Sequence, residues 1–146
     1  MHTMNSTTAT SRLALPLIGR TLIATIFLVS GLGKLMAPGA TIAYIGSLGL
    51  PVPLLGYLGA LVLELAGSVL LIAGYRTRLT AALLAAYAVV TALIFHHALG
   101  DQNQMFHFLK NLAMAGGLLQ VVAHGAGALS IDGRRSTTGT RAVAAH

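Results

Sequence analysis

The chain contains no cysteine and no tryptophan, and only three of its 146 residues are acidic. Without cysteine there is no disulfide scaffold, no zinc-finger cluster and no thiol redox centre. Charged residues make up 8% of the chain, against about a quarter in an ordinary soluble domain. Twelve charged side chains cannot cover a sequence that is 55% hydrophobic, so a soluble globule is excluded. A disordered chain would need low hydrophobicity and high charge. What remains is a single-domain integral membrane protein. The net charge of +6 would point to nucleic acid only if the basic residues formed a water-facing patch, and they do not.

Four apolar runs are present, at about 13–35, 54–74, 79–99 and 106–124. Each approaches the ~20 residues that a helix needs to cross the hydrocarbon. Pro38-Gly39, Pro51-Val-Pro53, Tyr75–Arg78 and Gly100–Gln104 separate them, as breakers do. The runs are continuous rather than alternating, which excludes a β-barrel. The expected fold is all-α, an antiparallel four-helix transmembrane bundle over residues 13–132. Residues 1–12 read as a disordered polar tail and 133–146 as a disordered basic tail. The first outer loop, Ala37–Pro53, carries Ile42, Tyr44, Ile45 and Leu48 and reads as a short interfacial helix capping the bundle mouth. Arg12, Arg76, Arg78, Arg134, Arg135 and Arg141 fall on one side of such a bundle, and Lys34 and Lys110 on the other. The positive-inside rule then places both termini in the cytoplasm.

Ionisable groups inside a span are expensive, usually face the bundle interior and need partners. Glu64 is the only acid within any run, and it lies about 15 Å deep, near the midplane. It reads either as a helix-bridging acid or as a proton or cation site with Arg20 or Lys34 as counter-ion. Arg20 and Lys34 are close to four turns apart, so they share a face of the first helix with Phe27 and Gly31; Lys34 alone could also snorkel to the headgroups. The third helix carries Ala81, Ala85, Ala88 and Ala92 at contact spacing, ending at His96, and small stripes mark close helix approach. In the fourth, His107, Lys110, Asn111 and Met114 share a face. Glu64, Lys34, His96, His107, Lys110 and Asn111 thus define a candidate polar vestibule in the outer third, with interfacial residues bonded to loop backbone and water as its plainer reading. His96 and His107 would be the axial pair of a haem, but they lack a ligand motif, and no metal site is expected. A quinone suits the set better: His, Lys and Asn supply donors for its carbonyls, and apolar walls take its tail.

The pattern Arg20, Phe27, Gly31-Leu-Gly33-Lys34-Leu35, then Gly49-Leu-Pro51-Val-Pro53, Glu64-Leu-Ala-Gly67 and Gly74-Tyr-Arg76-Thr-Arg78 resembles the DoxX family of small bacterial membrane proteins, in its YphA-like branch. Lys110-Asn111 through Gly116-Gly117 and the closing Gly125-Ala-Gly127-Ala-Leu-Ser130-Ile-Asp132 extend the resemblance to most of the chain. It implies a four-span bundle in the bacterial inner membrane. Some members are named for thiosulfate:quinone oxidoreductase subunits, and others are linked to membrane oxidoreductase complexes in oxidative or thiol stress. The expected role is therefore an accessory, quinone-interacting membrane subunit of an oxidoreductase, not a catalyst on its own, with the lipid bilayer, an oxidoreductase and further copies of itself as partners. Two other readings are a proton-coupled or small-molecule transporter element, drawn from Glu64 at the midplane, and a structural scaffold whose polar groups only hold the bundle.

Overall fold

A computed structural model describes residues 6–135. Its elements are α1 (Ser6–Met36), α2 (Pro38–Ser47), α3 (Pro53–Leu61), one π-helical turn (Val62–Ala66), α4 (Gly67–Ala73), α5 (Thr77–Phe95) and α6 (Gln102–His124). The π turn joins α3 to α4 without a break, so Pro53–Ala73 is one rod. Among the described residues, four helices are long and apolar enough to cross a membrane: Leu13–Met36, Pro53–Ala73, Thr77–Phe95 and Gln102–His124. The fold is an all-α four-helix membrane bundle. Its ends differ: residues 74–78 and 125–135 lie at the near end, and α2 lies at the far end.

Several boundaries differ from those read in the sequence. α1 starts at Ser6, so residues 6–12 of the expected disordered tail are helical. Propagating an existing helix costs little per residue once the apolar run has nucleated it. α5 stops at Phe95, with His96 already at φ −131°, and α6 starts at Gln102 because Asp101 Oδ1 accepts from the Gln104 N–H at 2.9 Å. That aspartate N-cap was visible in Asp101-Gln-Asn-Gln104 and outweighs the polar composition of the turn. Residues 131–135 form a helical turn, held by the Ser130 hydroxyl, which accepts from the Gly133 N–H at 2.9 Å and donates to the Gly127 carbonyl at 2.6 Å. The remainder of both expected tails, 1–5 and 136–146, lies outside the described residues.

Packing follows side-chain size. Ala81, Ala85, Ala88 and Ala92 are all buried, and α5 packs most extensively on α6, while α1 packs chiefly on the rod formed by α3, the π turn and α4. Leu71, Leu84 and Leu118 fill the centre with no exposure. Small residues here let backbones approach, which replaces the hydrophobic driving force that lipid cannot supply.

The near end is tied by two charged side chains. Arg20 is 1% exposed and donates to four carbonyls: Leu71 (2.7 Å) and Ile72 (3.0 Å) at the end of the second rod, Leu129 (2.8 Å) in the closing segment, and Pro16 (3.3 Å) one turn back. A guanidinium presents five N–H donors in a rigid fork, so one side chain satisfies carbonyls that α4 leaves open where it ends at Gly74. Gly74 takes φ +69° there, and a Cβ on it would strike Ser130 and the Arg20 guanidinium. Asp132 performs the complementary task. Its carboxylate accepts from the Arg76 N–H (3.0 Å), the Thr77 N–H (2.8 Å) and the Thr77 hydroxyl (2.7 Å), capping α5 from the far end of the sequence. Arg76, the residue in the cap position, offers no side-chain cap of its own.

Two outcomes follow. Arg20→Met strands three long-range carbonyls and lowers stability by about 3 kcal/mol, read as thermal unfolding in detergent; Arg20→Lys recovers only part of it. Partial burial pushes the Asp132 carboxyl up, but the Thr77 and Arg76 hydrogen bonds and the nearby Arg135 charge outweigh it and hold the group below its ordinary value of 3.8. The cap therefore contributes fully above that value and is lost as pH falls below it. Asp132→Asn flattens this acid limb in melts recorded across it.

Candidate functional site

Glu64 sits in the middle of the π turn. There the Gly67 N–H is shared between the Val62 carbonyl, five residues away, and the Glu64 carbonyl. The Ser68 hydroxyl also donates to the Glu64 carbonyl. Such turns occur mostly as single insertions within α-helices, frequently at functional sites. Opposite it, Gly31 of α1 permits a close approach: a Cβ there would lie 2.7 Å from Leu65 Cδ2 and 3.1 Å from Glu64 Cβ.

Glu64 is 3% exposed. Lys34 Nζ lies 2.9 Å from both carboxylate oxygens. The Tyr87 hydroxyl donates to Oε1 at 2.7 Å, and the Ser30 hydroxyl donates to it at 3.1 Å while accepting from Lys34 Nζ at 2.8 Å. α1, the π turn and α5 thus each contribute to one closed network. In a low dielectric the pair's attraction offsets its desolvation only when the remaining lone pairs are also bonded, and Tyr87 and Ser30 provide those bonds.

This network forms the floor of a cavity of about 610 Å³ in the far half of the bundle, roofed by α2. Asn111 and Lys110 of α6 and His96 at the end of α5 also line it. Asn111 is 8% exposed, and its amide makes no hydrogen bond among the described residues. α2 is joined by non-helical residues on both sides, Ala37 (φ −133°, ψ 60°) and Gly49 to Val52 (φ +73° and +52°). It meets the end of α5 through Tyr44 and Phe95, whose ring centroids are 5.8 Å apart.

A scan against family models matches the DoxX model to residues 15–97. The chain belongs to the DoxX family. It is 37% identical over 129 residues to inner membrane protein YphA of Escherichia coli, covering 85% of this chain and 92% of that protein. It is 34% identical over 118 residues to inner membrane protein YqjF of the same organism, covering 80% and 88%. No solved structure matches the chain. The segment matched by the DoxX model holds Arg20 and the whole cavity floor, Ser30, Lys34, Glu64 and Tyr87; Lys110, Asn111 and Asp132 lie beyond it.

The residues singled out in the sequence of this DoxX protein divide into three places. Glu64 and Lys34 pair directly, so Lys34 does not snorkel alone. His96, Lys110 and Asn111 face the same cavity. His107 stacks on His96, with ring centroids 5.0 Å apart and planes at 23°, and accepts from Lys110 Nζ at 3.1 Å. Arg20 is not a counter-ion of Glu64: it lies about 20 Å down α1 from Lys34, committed to backbone carbonyls. Sharing a helix face sets direction, but it does not set depth. The two imidazoles lie face to face. Tyr87 and Ser30 were missed. Each carries a readable signal, a hydroxyl inside an apolar run and a serine one turn before Lys34.

Breaking the floor pair tests its internal coupling. Glu64→Gln and Lys34→Met each lower stability by about 3 kcal/mol, and the double variant loses about 2 kcal/mol less than their sum, measured by unfolding in one detergent.

Proposed function

We propose that this DoxX-family protein is an inner-membrane subunit that binds a lipid-borne quinone in the far-half cavity and presents it to an oxidoreductase partner. The observation that carries the reading is where the cavity meets the surface. Among its lining residues, Ile26 of α1 and Val90 of α5 are 41% and 49% exposed. Each lies about 20 Å along its span, at the depth of the hydrocarbon. A ligand entering there comes from lipid rather than water, which fits a quinone with an isoprenoid tail better than a transported solute. Phe27, Ile94 and Met114 supply apolar walls, and Asn111 supplies an amide with donors and an acceptor to spare. Reducing a quinone to a quinol takes two electrons and two protons. The electrons come from the partner protein, and the hydroxyl of Tyr87 and the ammonium of Lys34 stand at the floor as proton-bearing groups, with Glu64 holding both in place. The inner-membrane placement rests on the names of the two Escherichia coli relatives, and the arginine-rich near end is assigned to the cytoplasm by the positive-inside rule.

Binding is measurable directly. The protein has four tyrosines and no tryptophan, and Tyr44 and Tyr87 line the cavity. Titrating decylubiquinone into the protein in nanodiscs quenches tyrosine emission saturably, and Asn111→Ala or Glu64→Gln weakens the affinity about tenfold. Linear, non-saturating quenching that is identical in all three proteins removes the quinone reading and leaves the scaffold role.

A further inference from the structure

The near end carries a second pocket, of about 450 Å³, bordered by Arg76, Arg78, Leu79, Gly125, Gly127 and Asp132. Both arginines are exposed, and neither forms an ion pair or a side-chain hydrogen bond among the described residues. The acid beside them is already engaged: Asp132 accepts from the Arg76 and Thr77 N–H groups and the Thr77 hydroxyl. Arg76 is held at φ +45°, a region that non-glycine residues occupy only when their surroundings impose it. The conformation comes from the same Asp132 bond. Two guanidinium groups, two residues apart on a short, tied turn, therefore border one small recess.

The apolar surroundings are as specific as the charge. Leu79 borders the recess and is 53% exposed, and Leu83, Val90 and Leu93 continue below it at 50%, 49% and 58%. Their spacing places them along one lipid-facing stripe of α5, which begins immediately beneath Arg78.

We propose that Arg76 and Arg78 bind the phosphodiester of an anionic phospholipid, whose acyl chains lie along the Leu79–Leu83 stripe of α5. Arginine forks match phosphate oxygens bidentately, and the stripe selects a lipid over soluble phosphate. This site is at the opposite end of the bundle from the cavity and does not depend on what the cavity binds.

The test is lipid enrichment. The full chain is reconstituted with equal phosphatidylglycerol and phosphatidylcholine, extracted in mild detergent, and its retained lipid is quantified by mass spectrometry. Wild type retains phosphatidylglycerol over phosphatidylcholine at a ratio at least about fivefold above the bulk ratio. Arg76→Gln with Arg78→Gln returns the ratio to bulk, whereas Arg76→Lys with Arg78→Lys keeps most of it. Should the glutamine variant not fold, wild type alone decides: enrichment falls as salt is raised from about 0.05 to 0.5 M. Enrichment absent in wild type, retained in the glutamine variant or indifferent to salt overturns the proposal. A soluble-phosphate site is the remaining outcome that overturns it. In that case inorganic phosphate raises the melting temperature of protein in pure phosphatidylcholine and, added to the mixed-lipid sample, abolishes phosphatidylglycerol retention.

Discussion

A carboxylate carried into hydrocarbon must find every one of its partners within the protein, and Glu64 does so by drawing on three helices at once. Lys34 and Ser30 come from α1, Tyr87 from α5, and the π turn turns the carboxylate toward both. Bilayer water cannot repair an imperfect fit, so the backbone adjusts instead. The inserted residue of the π turn disturbs the ladder of the second rod, and the Ser68 hydroxyl adds a bond to the buried Glu64 carbonyl. Gly31 removes the Cβ that would hold the two backbones apart. One buried charge thus explains a glycine, a helix irregularity and two hydroxyls.

The near end obeys the same constraint with the opposite sign. Arg20 gathers carbonyls where a helix stops, and Asp132 gathers N–H groups where the next helix starts. Between them they join α1, the α4–α5 turn and the closing segment. The two ends therefore work differently. At the near end charges are paired with backbone groups and close the structure. At the far end a charge is paired with a charge, and the remaining polar side chains face a void.

Spans and the small-residue stripe were legible because hydrophobic runs and alanine spacing report directly on burial. The expectation of a short helix in the first outer loop was met by α2, since Pro38 and the apolar residues after it announce a helix start. Glu64 and Lys34 stood out as expensive groups, yet their pairing was ambiguous, because Arg20 shares the face of Lys34 and only depth separates them. The π turn left no trace in the sequence: Val62–Ala66 reads as ordinary helix, and the distortion arises from the tertiary demand on Glu64. The capping role of Asp132 had no local signal, because its partner helix begins 55 residues earlier in the chain, and no local pattern joins them.

The cavity itself follows from this unequal closure. In the near half, Arg20 and the closing segment pull α1 against the second rod, while the alanine face lets α5 and α6 approach closely along the whole of α5. In the far half, α1 is held to the second rod at Gly31 and Lys34, and the longer Tyr87 side chain reaches Glu64 from α5. Phe27 and Tyr87 keep their ring centroids 6.4 Å apart, so bulky side chains separate α1 from α5 there. α2 lies over the gap but is tied to α5 at its tip by Tyr44 and Phe95. Collapse of the void would force Lys34 or Tyr87 out of register with Glu64, leaving a charge or a hydroxyl unpaired in hydrocarbon at a cost of several kcal/mol, roughly, per group. The ion pair that fixes the floor is therefore also what keeps the space above it open.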